Sequence, residues 1–133
     1  DASPPELSTL LAIDVTGSIN YGTVNPTATS TTQTVTITNT GNFNSTDAQF
    51  SGVNLEFGAN TIAVGQQRYS TTTSEAWDSL DYTLSGTATF RKLNITKATA
   101  TTSPSTQSNY WAIQVPLGTT VGTYNGTTTI TAQ

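Results

Sequence analysis

The 133-residue sequence contains no cysteine, no histidine and no methionine. Without cysteine there is no disulfide, no thiolate nucleophile and no zinc–thiolate site. Without histidine the commonest general base and metal ligand is missing. Only 9% of the residues are charged, and four basic residues stand against eight acidic ones. An acidic chain of this kind is poorly suited to nucleic acid or to an anionic membrane surface, and we expect neither partner.

Long apolar runs are also missing from the sequence. None approaches the ~20 residues that cross a bilayer, so we expect no membrane insertion of the mature chain. The chain begins at Asp1 and not at Met, and it is poor in lysine. We therefore expect an exported protein, extracellular or at the cell surface, from which a signal peptide has been removed.

Threonine and serine are abundant and make up about a third of the chain. In "TQTVTIT", residues 32–38, threonine alternates with Val35 and Ile37. A period of two predicts a half-buried strand, here with the aliphatic residues inward. Threonine is β-branched, so it favours extended backbone and still gives the outer face a wettable, uncharged surface.

Similar alternation recurs along the chain and predicts an all-β protein. We expect an Ig-like or jelly-roll-like β-sandwich of about eight or nine strands. Alternate side chains from Tyr82 to Phe90 are predicted to face the core, and so are those from Trp111 to Leu117. A helical period is predicted only for a turn or two within 74–80. The other alternating rows lie at 11–21, 53–57, 93–96 and 124–132.

The chain is predicted to contain one β-sandwich domain, residues 16–133, preceded by an N-terminal arm, residues 1–15. The arm carries an apolar row formed by Leu7, Leu11, Ile13 and Val15. In a self-contained sandwich this row is the first strand. In a fibre subunit it is a donor strand that fills a hydrophobic groove in the next copy, a head-to-tail contact that propagates.

The acidic residues Glu75, Asp78 and Asp81 recur at a spacing of three. A calcium loop or a carboxylate pair for glycosidic chemistry would use such residues. We favour a solvated loop with one helical turn, from which Trp77 and Leu80 point to the core. The sequence therefore predicts no enzyme, no catalytic residue, no metal site and no cofactor.

Aromatic residues offer a second candidate surface, because aromatic rings stack on sugars. Trp111, Tyr82 and Tyr124 fall on the inward parity of their strands, where a sandwich core needs bulk. Tyr69 and Tyr110 are the two that we expect to face solvent.

Three N-glycosylation sequons are present, at Asn44, Asn94 and Asn125. Asn94 and Asn125 have the outward parity of their strands, and Asn44 lies in a turn. All three are therefore candidates for covalent N-glycans that leave the core undisturbed.

Two stretches resemble exported cell-surface β-domains from archaea and bacteria. The first is "VTGSINYGTVNPTATSTTQTVTITNTGNFN", with its "TNTGN" turn, and the second is "YWAIQVPLGTTVGTYNGTTTITAQ". The second follows the pattern P-x-G-x-x-x-G-x-Y-x-G, with Pro116, Gly118, Gly122, Tyr124 and Gly126 in place. The layout is also similar to that of archaeal bundling pilins, archaeal threads and biofilm-matrix fibre proteins. That resemblance implies assembly by donor-strand complementation.

The sequence thus favours an extracellular structural protein, the repeating subunit of a cell-surface filament whose partner is a further copy of itself. Two alternatives stay open. One is a carbohydrate-binding or adhesive module, which predicts Tyr69, Tyr110 or Trp77 exposed in a cluster. The other is a monomeric spacer domain of a larger surface protein, which predicts a first strand paired within its own chain.

Overall fold

Antiparallel β-strands dominate the computed structural model, which describes residues 10–99, 101–103 and 105–133. The all-β prediction is confirmed. The described residues form ten strands, somewhat more than the eight or nine expected, because three of them are only two or three residues long. The strands are β1 (Ile13–Thr16), β2 (Gln33–Asn39), β3 (Ser45–Gly52), β4 (Leu55–Phe57), β5 (Asn60–Ile62), β6 (Gln67–Ser70), β7 (Tyr82–Thr83), β8 (Thr89–Thr96), β9 (Thr106–Ile113) and β10 (Thr128–Ala132).

Two sheets face each other across the core. The five-stranded sheet has the order β1-β2-β9-β6-β7, and the three-stranded sheet has the order β10-β3-β8. The β4–β5 hairpin stands apart as a two-stranded sheet. Two 3-10 turns are described, Val64–Gln66 and Trp77–Ser79, and the second lies within the segment for which a helical turn was predicted. The outermost strands, and hence the free edges, include β1 in one sheet and β10 in the other.

The core forms where the inward rows of the two sheets meet. Val35 and Ile37 of β2 are buried, as their alternation with threonine predicts. Tyr69 stacks on Trp111 with ring centroids 4.7 Å apart, and Phe50 of the opposite sheet stacks on Tyr69 at 4.9 Å. Offset aromatic contacts of this kind add to the large apolar area that each ring buries. The aromatic cluster thus joins the two sheets.

Several sequence predictions about which side chains face inward are wrong. Tyr69 is not a surface residue: it is 1% exposed, because its register opposite Trp111 places it on the inner face of β6. Leu117 is 83% exposed, because β9 ends at Ile113 and the chain then turns, with Gly118 at a φ of 81°. The loop after β9 therefore does not continue its inward row.

The row predicted from Tyr82 to Phe90 is not one strand. β7 ends at Thr83 in the five-stranded sheet, and β8 starts at Thr89 in the three-stranded sheet. The chain changes sheet between them, and this change resets which side chains face inward. Phe90 is consequently exposed, while Leu93 is half-buried and Ile95 is buried on the inner face.

Candidate functional site

The candidate donor strand lies at the edge of the five-stranded sheet. In β1, Ile13 lies opposite Asn39 and Val15 opposite Ile37 of β2 in the same chain. Ile13 is half-buried, whereas Val15 and Leu11 are each 39% exposed. The fourth member of the predicted row, Leu7, lies outside the described residues. The boundary predicted between arm and domain, after residue 15, falls inside β1.

The pairing with the β2–β3 turn continues upstream of β1. The amide N–H of Thr40 donates to the carbonyl of Ala12 at 3.1 Å, and that of Asn42 donates to Leu10 at 3.0 Å. The Leu10 N–H in turn donates to Oδ1 of Asn42 at 2.6 Å. The "TNTGN" turn is therefore the place where the N-terminal segment is held.

Gly41 makes this close approach feasible. A Cβ at position 41 would lie 2.1 Å from the carbonyl oxygen of Leu10 and 2.8 Å from the nitrogen of Ala12. Both are backbone atoms, so no rotamer change relieves the overlap. Position 41 needs glycine because the backbone of residues 10–12 passes too close for any side chain. The requirement here is the absence of a Cβ and not the conformational freedom of glycine.

Asn39, at the end of β2, ties this turn to the opposite sheet. Its side chain is buried; Nδ2 donates to the carbonyls of Phe43 and Ile95 at 3.0 and 2.9 Å, and Oδ1 accepts from the Gly41 N–H at 3.0 Å. A buried amide is tolerated because its hydrogen-bonding groups are paired. Sequence reasoning placed both residues in the "TNTGN" turn, but it did not predict that the Asn39 amide is buried or that backbone crosses Gly41.

Downstream of β1 the chain bends at Gly17, which has a φ of 99°, and continues through the exposed Ser18. Beside this bend lies a cleft of about 230 Å³. We call it the β1–β10 cleft, and its lining comprises Val15, Gly17, Ile19, Val35, Gly126, Thr128 and Ile130.

A larger cleft of about 570 Å³ adjoins it and shares Ile19, Gly126 and Thr128 with it. The apolar part of its lining includes Ile113 and Val115. Every described residue that lines either cleft is uncharged. Together the two clefts form an uncharged depression along the side of the sandwich where β1 and β10 have their free edges.

Burial also affects two tyrosines of the fold. The Tyr21 hydroxyl donates to Oε1 of Gln67 at 2.8 Å, and burial raises the pKa of Tyr21 above its usual range. Burial likewise raises the pKa of Tyr69, although a hydrogen bond from Arg91 and its positive charge act in the opposite direction. Both phenols are in structural positions, since each packs in or against the core.

The three sequon asparagines are exposed, as predicted from parity for Asn94 and Asn125 and from a turn for Asn44. Asn44 lies in the turn before β3, and Asn94 lies in β8 with a φ of 54°. The Asn94 backbone is held there because Oδ1 of Asp47 accepts from the N–H groups of Leu93 and Asn94 at 2.7 and 2.9 Å. Asn125 pairs with Glu56 through its backbone, which leaves the side chain outward. All three stay candidates for glycan attachment.

The acidic residues at spacing three do not converge. Glu75, Asp78 and Asp81 are each exposed, and within the described part of the chain no group of three acidic side chains is placed to hold a metal ion. Asp81 accepts a hydrogen bond from the Ser70 hydroxyl at 2.8 Å, a contact that closes its own loop. The geometry is that of a solvated loop.

The carbohydrate-binding alternative predicts an exposed cluster of Tyr69, Tyr110 or Trp77, and the structure does not show this cluster. Tyr69 is buried, and Tyr110 and Trp77 are half-buried. Trp77 is covered by the Arg68 guanidinium, 4.1 Å from the ring centroid, and its Nε1 donates to the Gln66 carbonyl at 2.8 Å. Trp77 thus packs against Arg68 at the surface. The prediction that it points to the core is wrong.

Comparison of the chain with protein-family models, with curated proteins and with solved structures finds no match. Among the described residues there is also no helix of the length and apolar character needed to span a bilayer.

Proposed function

We propose that the chain is an extracellular structural protein, the repeating subunit of a cell-surface filament assembled by donor-strand complementation. Leu7, Leu11, Ile13 and Val15 of one subunit form the donor strand, and a hydrophobic groove of the next subunit accepts it. The partner is a further copy of the same chain, and the assembly is a head-to-tail homopolymer. The proposal includes export to the cell surface and no catalytic role.

One observation carries the proposal: β1 is an edge strand whose side chains are at most half-buried. None of its four residues, all of them described, is fully buried. By contrast Val35, Ile37 and Asn39 of the neighbouring β2 are buried. β1 is also followed at once by the bend at Gly17 and the exposed Ser18, which can serve as a hinge. An edge strand beside a hinge exchanges between copies at low cost, because the pairing that it leaves in its own chain is formed again in another copy.

The outer surface of the sheet suits side-by-side packing of many copies. Thr34 of β2 is exposed, and Thr36 and Thr38 are half-buried on the same face. Hydroxyls keep this face wettable without the repulsion that like charges would cause between subunits, and they leave no large apolar patch. Glycans at Asn44, Asn94 or Asn125 would extend that hydrated surface.

A disulfide that locks β1 onto its own β2 tests the proposal directly. Asp14 lies opposite Thr38 on the outward face. Directly opposite residues of an antiparallel pair have Cα atoms about 4.5–5.5 Å apart, which lies within the range that a disulfide spans. The sequence has no native cysteine, so the double variant Asp14→Cys/Thr38→Cys holds a single possible intrachain pair.

We expect the oxidised double variant to remain monomeric and the reduced one to form filaments, with electron microscopy and light scattering as the readouts. The unsubstituted chain, assayed with and without reductant, is the matched control. If the oxidised variant assembles as well as the reduced one, release of β1 is not required, and donor-strand complementation is refuted.

A monomeric spacer domain is the second candidate, and the pairing of β1 with β2 in the same chain favours it. It predicts that the unsubstituted chain and both redox forms of the double variant stay monomeric at every concentration. In that case the first strand is a permanent part of its own sandwich.

A further inference from the structure

The cleft beside β1 lies where the strand lacks a side chain. Gly17 follows β1 and passes close to the β2 backbone: a Cβ on Gly17 would lie 3.1 Å from the Thr34 carbonyl oxygen and 3.6 Å from the Val35 Cα. With a φ of 99°, position 17 is in the left-handed region, where a larger residue is strained. The β1–β10 cleft of about 230 Å³ includes both Gly17 and Val35 in its lining. The chain's own first strand therefore leaves a cleft beside Gly17, although Val35 itself is only 3% exposed.

The register of β1 within its own chain is fixed by the residues that follow it. Ile19 and Tyr21 are half-buried and pack against the main core. Further along, the Thr27 N–H donates to the Val115 carbonyl at 2.7 Å, and the Ser30 N–H donates to Ile113 at 2.9 Å. Because this segment is anchored, β1 cannot slide along β2 to place a larger residue over Val35.

A strand supplied by a second copy has no such tether to the accepting domain. We infer that the donor strand binds the accepting β2 in a register shifted by two residues, so that its Val15 takes the place of Gly17 over Val35. This inference rests on the proposed function and names its acceptor site. A shift of two is the smallest that keeps the same side chains facing inward.

The shifted register also covers the donor's exposed aliphatic residues. Val15 moves from Ile37 to Val35, Ile13 moves from Asn39 to Ile37, and Leu11 takes the place opposite Asn39 that Ile13 holds in the single chain. Leu11 and Val15, each 39% exposed within one chain, are then covered by the accepting domain. The occupant is thus residues 11–15 of a second copy, whose inward residues Leu11, Ile13 and Val15 are apolar and match an uncharged cleft. The chain's own β1 shows that a strand of this sequence fits the edge of β2.

Crosslinking between chains that each carry one cysteine measures this register. In the unshifted register Asp14 lies opposite Thr38, and in the shifted register it lies opposite Thr36. Chains with Asp14→Cys are mixed with chains carrying Thr36→Cys or, as the matched alternative, Thr38→Cys. The mixtures assemble in reductant and are then oxidised. Every disulfide is necessarily intermolecular, and peptide mass spectrometry identifies the residues joined.

We expect a 14–36 disulfide to exceed the 14–38 disulfide by roughly tenfold or more, which is what burial of one further aliphatic side chain supplies. Filaments joined mainly through 14–38 would overturn the shifted register and leave the proposed function in place. If neither mixture assembles and neither disulfide forms, both the inference and the proposed function fail.

A second variant tests the role of the cleft without touching the donor strand. Thr128 of β10 lines both clefts and is half-buried, so Thr128→Ile fills the space from the other side. Thr129→Ile is the matched control, because Thr129 is exposed on the outer face of the same strand. We expect Thr128→Ile to fold as a stable monomer but lose filament mass, while Thr129→Ile assembles like the parent. Equal assembly of both variants would show that the cleft does not drive strand exchange.

Discussion

The side chain of Asn39 offers the sharpest quantitative test of how this fold is held together. Asn39→Ala removes three hydrogen bonds, to Phe43, Ile95 and Gly41, within a buried setting. A typical intramolecular hydrogen bond contributes about 1 kcal/mol net, and buried partners left unpaired add to the loss. The expected decrease in the free energy of unfolding is therefore about 3 kcal/mol. For a domain of this size that corresponds to a drop in Tm of roughly 10 °C.

Urea unfolding followed by tryptophan fluorescence measures this loss, because the buried Trp111 reports on the core. The exposed neighbour provides the control: Thr40→Ala should change the free energy of unfolding by no more than about 0.5 kcal/mol. Asn39→Asp should be at least as destabilising as Asn39→Ala. It places a carboxylate oxygen, which cannot donate, against the two carbonyl oxygens to which Nδ2 donates. A loss below about 1 kcal/mol for Asn39→Ala would refute the assignment of Asn39 as the clamp between the β2–β3 turn and β8.

Three further predictions concern the N-terminal contact, the buried phenol and the loop after β9. Gly41→Ala should destabilise the monomer and increase amide exchange at residues 10–12, because its Cβ would overlap the Leu10 carbonyl, whereas the exposed Gly58→Ala should leave that exchange unchanged. Tyr21 has a raised pKa when folded and an ordinary one near 10 when unfolded, so stability is full below about pH 10 and falls as the pH rises further. Tyr21→Phe should cost about 1 kcal/mol at neutral pH and reduce this alkaline loss, and an unchanged slope in denaturation at about pH 9–12 would contradict the reasoning. Leu117→Ser should alter stability by less than about 0.5 kcal/mol, while Ile113→Ala should cost about 2–5 kcal/mol; comparable losses in urea unfolding would place Leu117 in the core after all.

Several parts of the fold could be predicted because they depend on local alternation. Side chains of a strand point to opposite faces in turn, so Val35 and Ile37 had to face away from the threonines between them. The same rule placed Asn94 outward and Ile95 inward within β8, and both positions are confirmed. Within one continuous strand, alternation in the sequence therefore predicts which side chains face the core.

The errors arose where the chain leaves one sheet and enters another. Parity carried past Thr83 placed Phe90 inward, and parity carried past Val115 did the same for Leu117. Both residues are exposed, because a bend between strands resets the orientation of the side chains that follow it. Tyr69 was misplaced for a related reason: β6 is only four residues long, too short for its parity to be read with the strand's neighbours unknown.

The sequence by itself determined that this chain is all-β, that its outer faces carry hydroxyls in place of charge, and that its chemistry excludes cysteine and histidine sites. These properties follow from composition and from a period of two, and both can be read from the sequence without knowing which distant residues meet. Only the tertiary structure decided that the N-terminal segment crosses Gly41, that Asn39 is a buried clamp, and that a cleft remains where Gly17 passes over Val35. Those features depend on which distant strands pair and in what register, and pairing energies between residues far apart in the chain leave no periodic trace along it.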